Sequence, residues 1–228
     1  MAKTVSRCWN LLILVVSGAA LIAQFHLSLT STLFTTPMRV VNYFSYFTIE
    51  SNILVCVLAA SLVLHPDRDG RRWRVARLDS VLAIAVTGLV YVTVLRPSVP
   101  LIGLENTANN GLHYATPILA VLGWAAFGPR PRFTWNKLLS AMVFPIVWLA
   151  YTLIRGAIVH WYPYPFLNVT SLGYAHMTLN VLVVTCLIIG VGALFVALDR
   201  KLPAAFGPVE AAPASVTPAP SAAPSAED

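Results

Sequence analysis

Residues 174–198 read YAHMTLNVLVVTCLIIGVGALFVAL and contain no Asp, Glu, Lys or Arg. A helix needs about 20 mainly apolar residues to cross the hydrocarbon core of a bilayer, so this stretch predicts a transmembrane helix. Other runs of similar character lie at residues 9–29, 42–64, 78–95, 112–128 and 138–159. Together the six runs predict an all-α integral membrane protein, a bundle of six transmembrane helices.

The composition of the whole chain favours the same class. Of its 228 residues, 57% are hydrophobic and only 11% are charged, whereas a soluble domain carries about 25% charged residues. So few charges cannot cover a water-soluble surface, and a bilayer does not require them. The first run follows two basic residues, as in a signal peptide, but it exceeds the usual apolar length of about 7–15 residues. We therefore expect a retained helix.

The basic residues predict the orientation. Cytoplasmic loops carry an excess of Lys and Arg. With the N-terminus inside, the outer side holds only Arg39, Arg96 and Arg155 of the 15 Lys and Arg. Both termini are therefore predicted to be cytoplasmic, in a plasma (inner) membrane. The net charge of +6 lies in short loops between apolar runs, which favours contact with membrane lipids and not with nucleic acid.

The chain divides into two predicted regions. Residues 1–202 form the six-helix transmembrane domain. Residues 203–228 are rich in Pro, Ala and Ser, and they predict a disordered cytoplasmic tail because they have no apolar periodicity. No internal repeat is visible, which argues against the duplicated halves of many transporters.

Polar side chains cluster at one depth in five of the predicted helices. Ionisable groups inside a membrane are costly and usually mark a function. At 1.5 Å per residue the cluster lies roughly 5–10 Å below the outer surface, which predicts a polar pocket toward the outer leaflet. Its members are Gln24, His26, Thr48, Glu50, Asn52, His113, Arg155, His176 and Asn180.

Structural roles explain several of these residues equally well. A membrane Thr usually hydrogen-bonds its own backbone or a neighbouring helix, and Arg155 lies near enough to the interface to snorkel. Trp161, Tyr162 and Tyr164 are typical of an interfacial aromatic belt. Glu50 needs a partner or a proton at this depth, and Arg155 or a histidine across a helix seam is the expected partner.

Three short motifs carry a resemblance to a known family. They are Tyr46-Phe47-Thr48, Asn109-x-Gly111-x-His113 and Tyr164-Pro165-Phe166-Leu167. Their order and spacing on six predicted helices resemble the androgen-induced and androgen-dependent transmembrane proteins and their bacterial relatives. The resemblance covers the layout of most of residues 9–198.

The resemblance implies a chemistry. Animal members of that family are threonine hydrolases that cleave fatty acid esters of hydroxy fatty acids, with a Thr in the second helix and a His in the fourth. The matching positions are Thr48 and His113, which implies a nucleophile and a general base. The chain departs from the animal pattern at Ile49-Glu50-Ser51-Asn52, a difference that bears on the substrate.

The expected mechanism needs no metal or cofactor. A hydroxyl is a weak nucleophile at neutral pH and needs an adjacent base, and a histidine suits that task. We expect a lipid ester to enter sideways from the outer leaflet. Further site residues are assigned as oxyanion donor (Asn52), ligand of an acidic lipid (Arg155), orienting group of His113 (Glu50 or Glu105) and additional substrate contacts (His176 and Asn180).

Three other functions remain open at the level of sequence. A lipid- or ligand-binding membrane protein without catalysis would use the same pocket. A metal or haem site would draw on His26, His113, His160 and His176, although no HxxxH or HxxE spacing supports it. A small transporter is disfavoured by the missing repeat. The cysteines Cys8, Cys56 and Cys186 show no CxxC spacing and are interpreted as small apolar residues.

Overall fold

The computed structural model describes residues 2–203 of the protein. Within that range every regular element is helical. The elements are α1 (Ala2–Thr30), α2 (Thr36–Ser45), α3 (Phe47–Leu64), α4 (Arg71–Val90), α5 (Gly103–Asn110), α6 (Thr116–Phe127), α7 (Trp135–Ala141), α8 (Val143–Val159) and α9 (Val169–Lys201), with π-helical segments at Tyr91–Leu95 and Gly111–Ala115 and a 3-10 turn at Pro165–Leu167.

Five stretches of the described chain are long and apolar enough to cross a membrane. They are Lys3–Thr30, Phe47–Leu64, Arg71–Leu95, Trp135–Val159 and Val169–Lys201. Large apolar side chains on α8 also face outward, among them Ile146, Ile154 and Ile158, as lipid-facing residues do. The all-α membrane class is thereby confirmed. The fourth predicted run, 112–128, falls in α6 and the π segment before it and is not among the five, so the count of six and the cytoplasmic termini stay predictions.

The helix α4 lies at the centre of the bundle. It packs against α3, α6, α7 and α9, and its side chains Leu78, Leu82 and Ile84 are almost completely buried. On one side, α1 packs against α3, α5 and α6. The helix α4 begins at Arg71, seven residues before the start predicted at residue 78. The basic residues that precede the apolar run belong to the same helix.

The second predicted run, 42–64, is divided into two helices at Tyr46. The backbone of Tyr46 is extended, with φ −77° and ψ 127°. In a continuous helix the Ser45 carbonyl would accept from the Ile49 N–H, but it accepts the Trp148 indole N–H at 3.1 Å, and the Ile49 N–H bonds to the Tyr46 carbonyl. A tertiary contact from α8 therefore satisfies the group that the break exposes, and Thr48 falls in the first turn of a new helix.

A buried carboxylate lies at the end of the bundle where α9 ends. Asp199, near the end of α9, is 1% exposed and accepts the backbone N–H groups of Arg132 at 2.5 Å and Phe133 at 2.7 Å. Its other oxygen lies 3.8 Å from the Arg130 guanidinium. This network joins α9 to the segment between α6 and α7. The predicted tail lies outside the described residues, apart from Pro203, whose carbonyl accepts from Arg130.

Candidate active site

Thr48 occupies the second position of α3 and is 6% exposed. The first N–H groups of a helix have no partner within the helix, and they form the positive end of its dipole. The Thr48 N–H is such a group, and it donates to the Tyr164 hydroxyl at 3.1 Å. The break at Tyr46 thus places the Thr48 hydroxyl at a helix N-terminus, beside a backbone donor whose partner is a side chain and not a carbonyl of the helix.

His113 faces the Thr48 hydroxyl from the π segment Gly111–Ala115. Its Nε2 lies 3.4 Å from Thr48 Oγ1, and its Nδ1 lies 3.2 Å from the Asn109 carbonyl oxygen. A carbonyl only accepts, so Nδ1 carries the hydrogen and Nε2 presents its lone pair to the hydroxyl. This is the tautomer that a general base requires, and catalytic pairs commonly tighten when substrate binds.

The imidazole ring is also held by an aromatic neighbour. The ring of Tyr91 stacks on His113 with centroids 4.0 Å apart and an interplanar angle of 20°. The Tyr91 hydroxyl accepts from Asn109 Nδ2 at 2.6 Å, so Asn109 supports the histidine with its carbonyl and Tyr91 with its amide. Both rings lie in π-helical segments, which occur frequently at functional sites.

Two glycines bring the supporting helices close to His113. A Cβ at Gly111 would lie 2.5 Å from Ala20 Cβ on α1, far inside ordinary contact. A Cβ at Gly88 on α4 would lie 3.3 Å from the His113 carbonyl oxygen and 3.1 Å from Pro117 Cβ. The glycine of the Asn109-x-Gly111-x-His113 motif therefore permits α1 to pack directly against the segment that carries the histidine.

Like Tyr91, Tyr164 is a residue of this site that sequence reasoning missed. It is 7% exposed, and its hydroxyl lies 3.1 Å from Thr48 Oγ1 as well as from the Thr48 nitrogen. Burial raises the pKa of Tyr164 to about 12, so the phenol stays protonated and can donate to Oγ1. The quoted motif Tyr164-Pro165-Phe166-Leu167 contained the signal, but the aromatic-belt interpretation assigned the side chain to the interface.

Asn180 positions Tyr164 from α9. Its side-chain amide donates to the Phe166 carbonyl at 2.9 Å, and the Phe166 ring stacks on Tyr164 with centroids 5.3 Å apart. His176, one turn earlier, is exposed and bonds the Leu172 carbonyl through Nδ1 at 3.2 Å. Of the two α9 residues in the predicted site, Asn180 supports it and His176 lies apart from it.

Asn52 has a different role from the one expected. It is fully buried, and its amide donates to the Thr48 carbonyl at 2.8 Å and to the Leu112 carbonyl at 3.2 Å. An amide nitrogen has two hydrogens, so none remains for an oxyanion. Asn52 instead ties α3 to the segment that holds His113. The donors nearest to Oγ1 are the Thr48 N–H and the Tyr164 hydroxyl.

The charged residues of the predicted site do not reach Thr48. Arg155 donates to Asn42 Oδ1 at 2.6 Å and lies over the Trp161 ring at 4.9 Å. Glu50 is half-buried and is in no ion pair within residues 2–203, so the expected pair with Arg155 is not formed. Glu105 is exposed on α5. The group that orients His113 is the Asn109 carbonyl, in place of either carboxylate.

A large apolar cavity begins at Thr48. Its volume is about 430 Å³, and it lies between α3, α4, α8 and α9. Aliphatic and aromatic side chains form most of its wall, and Thr48 and Tyr164 line it at one end. Its lining also includes Trp148, Val181, Ile188 and Leu139.

The histidines of the metal or haem alternative are not gathered together. In the part of the chain that the structure describes, no three His, Cys, Asp or Glu side chains are arranged to hold a metal ion. His113 is engaged by Thr48 and Asn109, and His176 by Leu172. The described side chains thus present a hydroxyl–imidazole pair at the end of an apolar cavity.

The comparisons with known proteins gave no match: no family model, no curated protein and no solved structure resembles this chain significantly.

Proposed function

We propose that this protein is an intramembrane hydrolase of lipid esters, such as fatty acid esters of hydroxy fatty acids, with Thr48 as nucleophile and His113 as general base. The observation that carries the proposal is the 3.4 Å approach of His113 Nε2 to Thr48 Oγ1, with Nδ1 committed to the Asn109 carbonyl. The resemblance of the three motifs to threonine hydrolases supports it independently.

The first half of the reaction forms an acyl-enzyme. Thr48 Oγ1 attacks the ester carbonyl carbon while its proton passes to His113 Nε2. The bond between the carbonyl carbon and the alkoxy oxygen then breaks, and the departing oxygen takes the proton from Nε2. The products of this half are the free alcohol and an ester between the acyl group and Thr48.

The second half releases the fatty acid. A water molecule attacks the acyl carbon, and His113 Nε2 accepts one of its protons. The bond to Thr48 Oγ1 breaks, and the proton on Nε2 returns to that oxygen. In both halves the negative charge develops on the former carbonyl oxygen. The nearest donors are the Tyr164 O–H, which contacts Oγ1, and the Thr48 N–H, which would exchange its bond to Tyr164 for one to that oxygen.

The membrane arrangement is part of the proposal. The helical stretch from Gly103 to Phe127 measures about 35 Å at 1.5 Å per residue, which exceeds the hydrocarbon thickness of about 30 Å. With this stretch as the fourth span the chain crosses six times, both termini are cytoplasmic, and Thr48 lies near the outer leaflet of the plasma (inner) membrane. A lipid ester would then reach Thr48 without leaving the bilayer.

Covalent labelling tests the chemistry. The detergent-solubilised protein is treated with a fluorophosphonate probe, which traps activated hydroxyl nucleophiles. We expect labelling of the wild type and of Thr48→Ser, none of Thr48→Ala, and at least a hundredfold slower labelling of His113→Ala. Thr178→Ala is the matched control, because Thr178 is exposed on α9; it should label as fast as wild type.

Two results would contradict the proposal. One is a wild type that shows a cooperative thermal unfolding transition but is not labelled, and the other is labelling that survives Thr48→Ala.

The cavity also favours a second candidate, a non-catalytic lipid-binding protein. For that function, Thr48→Ala would retain lipid binding and the wild type would turn over no ester.

A further inference from the structure

The two sides of Thr48 differ in chemistry. His113 approaches Oγ1 from the side of α1 and the Gly111–Ala115 segment, and it does not line the cavity. On the other side, Thr48 and Tyr164 are themselves part of the cavity wall. A substrate carbonyl placed at Oγ1 therefore has the base on one side and an apolar cavity on the other.

The proton transfer decides which part of an ester lies on which side. In the proposed reaction the leaving alkoxy oxygen takes its proton from His113 Nε2, so that oxygen and the alcohol group attached to it must be on the histidine side. The remaining substituent of the carbonyl carbon is the acyl chain, which is then directed toward the cavity.

The shape of the cavity matches a chain. Trp148 on α8 bonds the Ser45 carbonyl and so lies level with the start of α3. Leu139 lines the cavity nine residues earlier, about 13 Å farther in at 1.5 Å per residue. The cavity thus extends from the Thr48 hydroxyl toward the membrane interior, parallel to the helices.

The cavity is also open to the lipid. Leu139, Ile146 and Ile189 line it and are 70%, 63% and 49% exposed, respectively. These residues lie on the α7–α8 stretch and on α9, so the opening is between those helices. A chain can enter sideways through it and need not be threaded from an aqueous surface.

We propose that this cavity is the binding site for the acyl chain of the ester, with the chain terminus toward Leu139 and Ile189, and that the alcohol group is held on the His113 side. This inference rests on the proposed function. With this arrangement the enzyme is selective for the length of the acyl chain and accepts alcohol groups of different lengths. The selectivity comes from packing and steric exclusion, because a lipid chain is already in an apolar medium before it binds.

Two tryptophan substitutions at different depths test the assignment. Val181 follows Asn180, which bonds the Phe166 carbonyl, so it lies near the hydroxyl end. Ile188 is two turns farther in, about 10 Å. Leu182 is exposed on the same helix and does not line the cavity, so Leu182→Trp is the matched control.

The variants are assayed with two ester series, one with butanoyl, octanoyl and palmitoyl groups on a single alcohol, the other with short and long alcohols on a palmitoyl group. We expect Ile188→Trp, deep in the cavity, to lower the palmitoyl-to-butanoyl rate ratio at least tenfold. Val181→Trp lies nearer the hydroxyl end and should lower both this ratio and the octanoyl-to-butanoyl ratio. Leu182→Trp should leave both ratios at wild-type values. Unchanged acyl ratios, or a length dependence that moves to the alcohol series, would overturn the assignment.

A second measurement separates this inference from the proposed function. Thr48→Ala protein in bilayers is photo-cross-linked with a palmitoyl ester that carries a diazirine either at the acyl terminus or at the alcohol terminus. We expect the acyl-terminal probe to label peptides of the α7–α8 stretch and α9 around Leu139 and Ile189, with Ile188→Trp reducing the yield. Labelling of those peptides by the alcohol-terminal probe instead would contradict the inference, whether or not the wild type hydrolyses esters.

Discussion

The hydroxyl of Tyr164 lies 3.1 Å from both the backbone nitrogen and Oγ1 of Thr48, although the two residues are 116 positions apart in the chain. A single phenol from the segment between α8 and α9 therefore accepts the buried N–H at the α3 N-terminus and contacts the proposed nucleophile. Any reaction at Thr48 Oγ1 takes place beside this group.

Tyr164→Phe should therefore slow acylation without unfolding the protein. The ring remains, and the hydroxyl is lost both as a donor to Oγ1 and as the acceptor of the Thr48 N–H. Loss of one oxyanion donor typically lowers kcat about 10²–10³-fold. The measurement is kcat and KM for ester hydrolysis, with the loss expected in kcat. Tyr174→Phe makes the same chemical change at a side chain that is 76% exposed and should behave as wild type. A loss below threefold in Tyr164→Phe would remove the phenol from the mechanism.

The stack of Tyr91 on His113 predicts a graded response. Tyr91→Phe keeps the ring and loses only the bond from Asn109 Nδ2, so we expect fluorophosphonate labelling to slow less than about tenfold. Tyr91→Ala removes the face that holds the imidazole, and the second-order rate constant of labelling should fall well below that of the Phe variant. Equal rates for the two variants would mean that the stack does not position His113.

Gly111→Ala should destabilise the bundle. The added Cβ would lie 2.5 Å from Ala20 Cβ, and overpacking of this kind costs about 1–3 kcal/mol. Ala20→Gly in the same protein should restore thermal stability in detergent, since it removes the opposing atom. Gly190→Ala is the control, because a Cβ there meets nothing within 4 Å and Ala favours the helix. A Gly111→Ala variant as stable as Gly190→Ala would show that the two helices separate freely.

Asp199→Ala should weaken the end of the bundle where α9 meets the segment between α6 and α7. The substitution leaves the N–H groups of Arg132 and Phe133 without their acceptor and removes the carboxylate charge 3.8 Å from the Arg130 guanidinium, and breaking a buried ion pair typically costs about 3–5 kcal/mol. Asp67, which pairs with Lys3 with its side chain 74% exposed, provides the control. Thermal unfolding of Asp67→Ala should match wild type, because exposed pairs contribute little. Similar melting temperatures for the two variants would contradict the prediction.

Much of the architecture could be predicted from local composition. The apolar runs identify the membrane class because every backbone group in a bilayer must be paired within its own helix, so apolar length alone reports a span. Depth alone placed Thr48 and His113 among nine polar residues, and the resemblance of the three motifs selected the pair. Composition failed at Tyr46, because the mainly apolar run 42–64 predicts one helix where the structure has two.

The sequence by itself determined that this chain is a helical membrane protein, and it predicted a layer of polar side chains. Only the tertiary structure decided that Trp148 stabilises a break before Thr48, that the Asn109 carbonyl orients His113, and that Tyr164 reaches Thr48. The reason is physical. Apolar patterning acts residue by residue along one helix, whereas a hydrogen bond between segments that are distant in sequence depends on how the whole backbone is folded, and no local pattern encodes that distance.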